Sequence, residues 1–211
     1  MVKRKEPNQL TRDKIFNAAS EVFEEKGYAA ARMQEIADRA GINKALLHYY
    51  FRSKEQLFQA VFKVLMKKMF EKILAVFIKD ISFEDKIRLY YEEHINILNK
   101  NPHLPLFLLN EISHNPDLAK DIQEIMNYGQ IRDAVFRKHS KELKKYGIKK
   151  SDMPQLIISI LSLAIFPYAA RDIIGIMIPQ IVDNKNFKAF METRKEFAAG
   201  FVITALKNRK K

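Results

Sequence analysis

The sequence predicts an all-α protein, and three observations carry the prediction. Apolar residues recur at helical spacing along most of the chain, and no stretch of any length alternates with the period of two that a half-buried strand requires. Only six Gly and seven Pro are spread over 211 residues, which suits helices joined by short connections. Residues that start or stop helices fall between the periodic segments: Gly27, Gly41, Asn43, Ser53, Ser82, Asn115-Pro116 and Gly147.

The composition narrows the class further. Hydrophobic residues make up 47% of the chain and charged residues 29%, so it is globular rather than disordered and long enough for a sizeable core. The net charge of +12 points to a polyanionic partner, nucleic acid before membrane surface. The charge does not locate that partner's face: residues 1–54 hold eleven Lys/Arg against seven Asp/Glu, a balance of +4, and the remaining +8 lies beyond. Without Cys, disulfides and Cys-ligated metals are excluded. Met1 to Lys5 are basic, but no apolar signal core follows, so the expected location is cytoplasmic.

Taken in order, residues 1–7 read as a basic arm ending at Pro7. From Gln9 to Lys26, Ile15, Phe16, Ala19, Val22 and Phe23 form one apolar stripe, and Gly27 ends that helix. A second helix, Gln34 to Ala40, turns Ile36, Ala37 and Ala40 to one side. Gly41 stops it, because glycine takes a left-handed conformation cheaply. Asn43 caps a third helix beginning at Lys44. In this helix of two turns Leu47 and Phe51 share the core side, leaving Lys44, Ala45, Leu46, His48 and Tyr49 outward. A rigid, poorly buried helix presenting Lys, His and Tyr suits insertion into a DNA major groove; the plainer reading is a helical hairpin with a solvated face.

Ser53 caps a fourth helix, in which Leu57, Val61, Leu65, Met69, Ile73 and Val76 form an apolar row to about Lys79. Lys63, Lys67, Lys68 and Lys72 extend along its other side. Ser82 caps a fifth, with Glu84 and Asp85 in the first turn to suit the dipole, and Asn101-Pro102 ends it. His103 to His114 is a short, very apolar segment. Asn115-Pro116 opens a helix carrying Leu118, Ile122, Ile125, Met126, Ile131 and Val135 to about Tyr146, with Gly129 as an interior weak point. Between Pro154 and about Ile178, Leu156 to Ala170 are fifteen uncharged residues, fewer than the roughly 20 a membrane span needs. That stretch is predicted as a helix buried on all sides, kinked or broken at Pro167. The last helix, about Phe187 to Lys207, carries Phe190, Phe197, Phe201 and Ala205, with Ala198, Ala199 and Gly200 small enough for close approach. No period of 20–50 residues repeats.

Several spaced positions now agree at once. They are Ile15 to Gly27 (IFNAASEVFEEKG), Met33, Ile36-Ala37, Ala40-Gly41-Ile42-Asn43-Lys44, Leu47, and Tyr50-Phe51-Arg52-Ser53-Lys54-Glu55 with Leu57. In these the chain resembles the TetR family of one-component transcriptional repressors, over roughly its first 60 residues. The remainder is similar only in plan. The resemblance implies an N-terminal three-helix helix-turn-helix DNA-binding unit at 8–68, with the helix-turn-helix at about 31–50. A helical ligand-binding and dimerisation domain would occupy 69–211. It further implies a homodimer on a near-palindromic double-stranded operator, released by a small molecule. Two positions depart from the family's pattern. Ala31 stands where a capping Thr is common, with Arg32 next to it, and His48 stands where a Tyr is common.

The DNA-binding residues expected on this basis are Arg32, Gln34, Asn43, Lys44, Ala45, Leu46, His48, Tyr49 and Lys54. Lys44 and Lys54 would meet phosphates at helix starts, where backbone amides add their own attraction; otherwise they are solvated charges. Tyr49 would meet the DNA backbone, Ala45 and Leu46 a thymine methyl, and Gln34 a base or phosphate. Fifteen Phe, eight Tyr and eight Met exceed what a small DNA-binding head needs. They point to a mainly apolar effector among the middle helices, lined by Tyr90, Tyr91, His94, Phe107, Glu111, Met126, Gln130 and Tyr168. The dimer interface is expected at Leu156, Ile160, Leu163, Phe197 and Phe201. His94, His103, His114 and His139 have no metal-ligand spacing, and no phosphate loop, Cys nucleophile or nucleophile elbow is present, so neither enzyme, metal nor cofactor is expected. A DNA-binding or architectural protein without an effector is the alternative function. A membrane-surface protein would share the charge but not the pattern around Gly41.

Overall fold

The structure, a computed structural model, describes residues 7–102, 104–114, 120, 122–124, 128–181 and 183–209. The N-terminal arm, His103, the Asn115-Pro116 start and Met126 lie outside these residues. Among the described residues all regular structure is helical and no strand occurs. The helices are α1 (Pro7–Ala30), α2 (Met33–Ala40), α3 (Lys44–Tyr50), α4 (Lys54–Ile78), α5 (Phe83–Lys100), α6 (Leu104–His114), α7 (Tyr128–Lys145), α8 (Met153–Ala169), α9 (Arg171–Met177) and α10 (Asn184–Asn208). Two compact units divide the chain after Lys67.

The first unit is built on Ile15, Ala19 and Val22 of α1, Ile36 and Ala37 of α2, Leu47 of α3 and Leu57 of α4, all essentially without solvent contact. Gly27 breaks α1 as expected, with φ 72° and ψ 171°, although helical geometry resumes as far as Ala30. After α2, Gly41 at φ 68° lets Ile42 N–H return to Ala37 O at 3.0 Å, closing the helix end. Arg39 ties α2 to α1 through two parallel hydrogen bonds to Glu25, at 2.7 and 2.9 Å, and so holds that carboxyl below its usual range. Phe23, Tyr28 and Phe58 pack ring against ring at 4.9 to 6.4 Å.

The second unit has one apolar core, running from Val76 through α5 and α8 to Leu206. Ser82 caps α5 by accepting from Asp85 N–H, and Gly147 at φ 66° ends α7 with Ile148 N–H on Leu143 O at 2.9 Å. α10 packs chiefly along α5. Its first helical residue is Asn184, three residues earlier than expected, because Asp183 caps it by accepting from Asn186 N–H at 2.8 Å. Ala198 and Ala199 are fully buried in the chain's own core.

α8 departs from its prediction in two ways. Pro167 lies inside the helix, and the break comes later, at Ala170, before α9. Nor is α8 buried on all sides: Ile158 and Phe166, eight residues apart on one face, are 58% and 59% exposed. Together with its preceding turn, Lys150–Ala169 is the one described stretch long and apolar enough to cross a membrane. Its inner face, however, is fastened by polar groups of neighbouring helices. Tyr91 donates to Ile160 O at 3.1 Å and the Arg194 Nε–H to Leu163 O at 2.8 Å.

Candidate nucleic-acid interface and effector cavity

α3 is held from both ends and from beneath. Asn43 accepts from Leu46 N–H at 2.7 Å, which caps its start. Leu47 is fully buried and Phe51, just past the helix, is 6% exposed. That anchoring leaves Lys44, Ala45, Leu46, His48 and Tyr49 on the solvent side, with Tyr49 at 78% exposure. An exposed phenol on a rigid helix offers one hydroxyl at the end of an apolar body. Tyr50 is half-buried and supports it, the two rings meeting edge to face at 5.5 Å. His48 Nδ1 lies 3.3 Å from Arg52 O.

Of the nine residues expected at DNA, Arg32, Gln34, Asn43, Lys44, Ala45, Leu46, His48 and Tyr49 are exposed on α2, the turn and α3. Two of them already have internal tasks, and a third, Arg32, does not take up the one open to it. Asn43 is the cap. The Gln34 amide donates to Asp38 at 2.8 Å, one turn along the same helix. Arg32 occupies the start of α2 without a side-chain cap, so the capping interaction that Ala31 cannot make is not replaced by its neighbour. Lys54 stands apart. Its ammonium donates to Tyr28 O at 2.9 Å and to Ala31 O at 3.1 Å, and lies 4.5 Å from the centre of the Tyr28 ring. This is a fastening of the α4 start to the α1–α2 junction, a role the sequence reading did not assign to it.

In the second unit a cavity of about 110 Å³ opens between helices. α4 contributes Phe70, Ile73, Leu74 and Phe77, and α5 contributes Phe83 and Tyr90. Met153, Leu156, Ile157, Ile160 and Leu161 of α8 form the opposite wall, and α7 adds Val135 and Arg132. Its wall is almost wholly hydrocarbon and aromatic. The Tyr90 hydroxyl is not available to a guest, since it meets His94 Nδ1 at 2.5 Å. Burial pushes the His94 pKa down to about 4 and that of Tyr90 up, so the neutral imidazole accepts and the phenol donates.

Of the expected effector-site residues whose side chains are described, only Tyr90 reaches this cavity. Tyr91, His94 and Tyr168 are core residues with internal partners: Tyr91 on Ile160 O, His94 on Tyr90, and Tyr168 donating to Asn99 at 2.8 Å. Phe107, Glu111 and Gln130 sit on α6 and α7 with side chains outside the described residues, as is all of Met126. The residues expected at the dimer interface fall on two different sides. Leu156 and Ile160 face the cavity, because the 156–160–163 spacing selects the inner side of α8, and Leu163 is half-buried. Phe197 and Phe201 are outward, 69% and 59% exposed. The signal that picks the outer side of α8 is its mixed row of Gln155, Ile158, Ser159, Ser162 and Phe166, which the apolar average of the helix hides. No cluster of potential metal ligands occurs among the described residues.

Residues 15–61 match the model of bacterial regulatory proteins of the tetR family. The HTH-type transcriptional activator FasR of Mycolicibacterium smegmatis is 51% identical over 55 residues; the match spans 26% of this chain and only 25% of that protein's length. The fatty acid metabolism regulator protein of Bacillus subtilis is 25% identical over 175 residues, 81% of this chain and 88% of that one. In solved structures, the fold is similar to FadR from Bacillus subtilis in complex with stearoyl-CoA, at TM-score 0.63 and 22% identity over 89% of this chain and 97% of that one. FadR from Bacillus halodurans is similar at TM-score 0.62 and 21% identity, over 93% and 97%. These relatives are regulators and not enzymes. Over the matched residues, which form the helix-turn-helix, the chain is similar to the tetR family of bacterial regulatory proteins, and the described residues of its second unit are all-helical.

Proposed function

We propose that this protein is a homodimeric repressor that binds operator DNA through α3 and is released by a small, mainly apolar ligand held in the second unit. The observation that carries the reading is the path of α4. One unbroken helix, Lys54–Ile78, begins beside the helix-turn-helix and supplies four wall residues of the cavity in its last turns. A ligand that widens the cavity acts on that helix directly. It lowers operator affinity by its differential affinity for the two arrangements of α4.

Several features support the reading without fixing it. The outward set Lys44, Ala45, Leu46, His48 and Tyr49 combines a cation, apolar contacts and hydroxyl and ring donors on a helix narrow enough for a major groove. Arg32, Gln34 and Asn43 lie on the approach to it. Exposed Phe166, Phe197 and Phe201 are poor surface for a monomer and suit burial against a second copy. The Bacillus subtilis FadR structure holds stearoyl-CoA, which makes a long-chain acyl compound the first effector to try.

Operator sites are selected from random DNA with the full-length protein, and affinity is then followed by fluorescence anisotropy with and without acyl compounds. The expected result is a near-palindromic site and at least a tenfold loss of affinity with a bound acyl compound. A ligand that raises the melting temperature yet leaves operator affinity unchanged would overturn release. Selection of no preferred sequence would favour the architectural alternative.

A further inference from the structure

We infer that His48 reads DNA as a hydrogen-bond acceptor, its Nε2 lone pair taking an N–H from the exocyclic amino group of adenine or cytosine in the major groove. The inference rests on the DNA-binding reading above and adds the chemistry of one contact and the bases it selects. His48 is exposed on α3, four residues after Lys44 and three after Ala45, so the three share one face of the helix. Its ring has a fixed role. Nδ1 lies 3.3 Å from Arg52 O, four residues along the chain. A carbonyl oxygen only accepts, so the nitrogen facing it carries the hydrogen. In the neutral imidazole the other nitrogen, Nε2, is then left with a lone pair and no hydrogen.

That assignment decides between the partners DNA offers. Phosphate oxygens only accept, and Nε2 against one of them sets lone pair against lone pair. Phosphate contact from this helix falls instead to groups with a hydrogen to give, the Tyr49 hydroxyl and the Lys44 ammonium, both exposed. On the base edges of the major groove, guanine N7 and O6, adenine N7 and thymine O4 are acceptors as well and give Nε2 nothing. The donors there are the N6 amino group of adenine and the N4 amino group of cytosine. A histidine with an untethered ring could move its hydrogen to Nε2 and read guanine; the Arg52 carbonyl removes that option. A tyrosine, common at this position in the tetR pattern, has a hydroxyl that both donates and accepts and carries no such restriction.

The test uses the full-length protein and an operator selected from random DNA, in buffer well above the ordinary imidazole pKa of about 6.5. His48 is exposed, so His48→Ala leaves the core untouched, and the base pair at which its sequence preference collapses is the one His48 meets. Single groups are then removed from that pair. Purine in place of adenine, or pyrimidin-2-one in place of cytosine, deletes the amino group, and a 7-deazapurine deletes N7. Deleting the amino group should weaken native binding about fivefold more per half-site than it weakens His48→Ala, the low end of base discrimination because one bond is made rather than a pair. The comparison with His48→Ala cancels any change in the duplex itself, and the base found at the pair tells adenine from cytosine. Deleting N7 should cost the native protein nothing relative to His48→Ala. Long-range nitrogen–proton correlation on the free protein should place the His48 hydrogen on Nδ1, against the Nε2 form that unconstrained histidine side chains favour. A hydrogen on Nε2 would overturn the inference, as would an affinity that depends on N7 and not on the amino group. A His48→Ala variant that weakens all sequences alike, or changes nothing, would overturn it too. Each of these results leaves DNA binding standing, since an operator has been selected. Failure to select any operator would remove that reading and this inference with it.

Discussion

Lys54 separates two roles that a DNA-binding assay alone would confuse. Its ammonium holds Tyr28 O and Ala31 O and sits over the Tyr28 ring. Lys54→Met keeps the hydrocarbon stem and removes both charge-assisted hydrogen bonds and the cation–ring contact. Each such bond is worth about 1.5–3 kcal/mol where buried. The carbonyls here are only partly covered, so water replaces much of the loss, and the expected destabilisation is ~1–3 kcal/mol in all. For a chain of this size that lowers Tm by roughly 2–4 °C per kcal/mol. If Lys54 instead met a phosphate in each subunit of a dimer, its removal would flatten the slope of log affinity against log salt by about 1.8, at ~0.9 per contact. Thermal unfolding and anisotropy from 50 to 200 mM salt, the latter at a temperature where the variant is fully folded, read both quantities. The structural role predicts a lowered Tm with the slope unchanged. An unchanged Tm with a shallower slope would refute it and restore the phosphate contact.

Three further outcomes follow from the same geometry. Leu46→Gln puts an amide in place of an exposed apolar side chain on α3, and should change the base preferred in a random-DNA selection; an unaltered preference would remove Leu46 from the reading face. Phe197→Asp with Phe201→Asp should give a monomer by sedimentation equilibrium with an unchanged far-UV spectrum, whereas a folded double variant that stayed dimeric would move the interface elsewhere. Stability should fall on acidification through His94: above pH 6.5 both folded and unfolded chains hold it neutral, and between 6.5 and about 4 only the unfolded chain takes up the proton. The shift amounts to about 3 kcal/mol across that window, so His94→Gln, which keeps an acceptor for Tyr90, should flatten Tm against pH there; a variant with the native pH profile would exclude His94 as the source.

The helix-turn-helix was legible because each of its determinants is local. Gly41, Asn43 and the Leu47–Phe51 pair act within a few residues, and the structure puts a left-handed turn, a cap and a buried anchor at those places. The carbonyl contacts of Lys54 were not legible for the opposite reason. Its partners lie 26 and 23 residues away in sequence, and nothing in the local pattern marks a carbonyl as the destination of a lysine. The same holds for the cavity. Tyr91 and Tyr168 have the composition of a binding site, but each hydroxyl is taken by an oxygen about 70 residues distant. Asp183, by contrast, was a readable cap three positions before the Asn186 amide it accepts from, and the aromatic at Phe187 drew attention past it.

The size of the cavity bears on how release would work. A void of about 110 Å³ is smaller than the roughly 150 Å³ apolar cavity known to accept a benzene ring, so a long acyl chain cannot enter without moving a wall. Four helices form that wall, and they are not equally free. The far end of α4 is pinned: the buried Lys86 ammonium donates to Phe77 O at 2.6 Å and Lys138 donates to Ile78 O at 2.7 Å, securing the last carbonyls of α4 to α5 and α7. α8 is held by Tyr91 and Arg194 through its own carbonyls. Pulling the α4 terminus outward would break both lysine bonds and open two carbonyls, and the loss is steeper at the more covered Lys86 than at the exposed Lys138. Widening is cheaper about that fixed end, with Phe70 and Ile73 moving more than Phe77. On this argument the pinning by Lys86 gives the expansion its direction, toward the end of α4 that starts beside α3. Lys86→Met should then leave acyl binding intact while weakening its effect on operator affinity, a separation that a simple loss of the pocket could not produce.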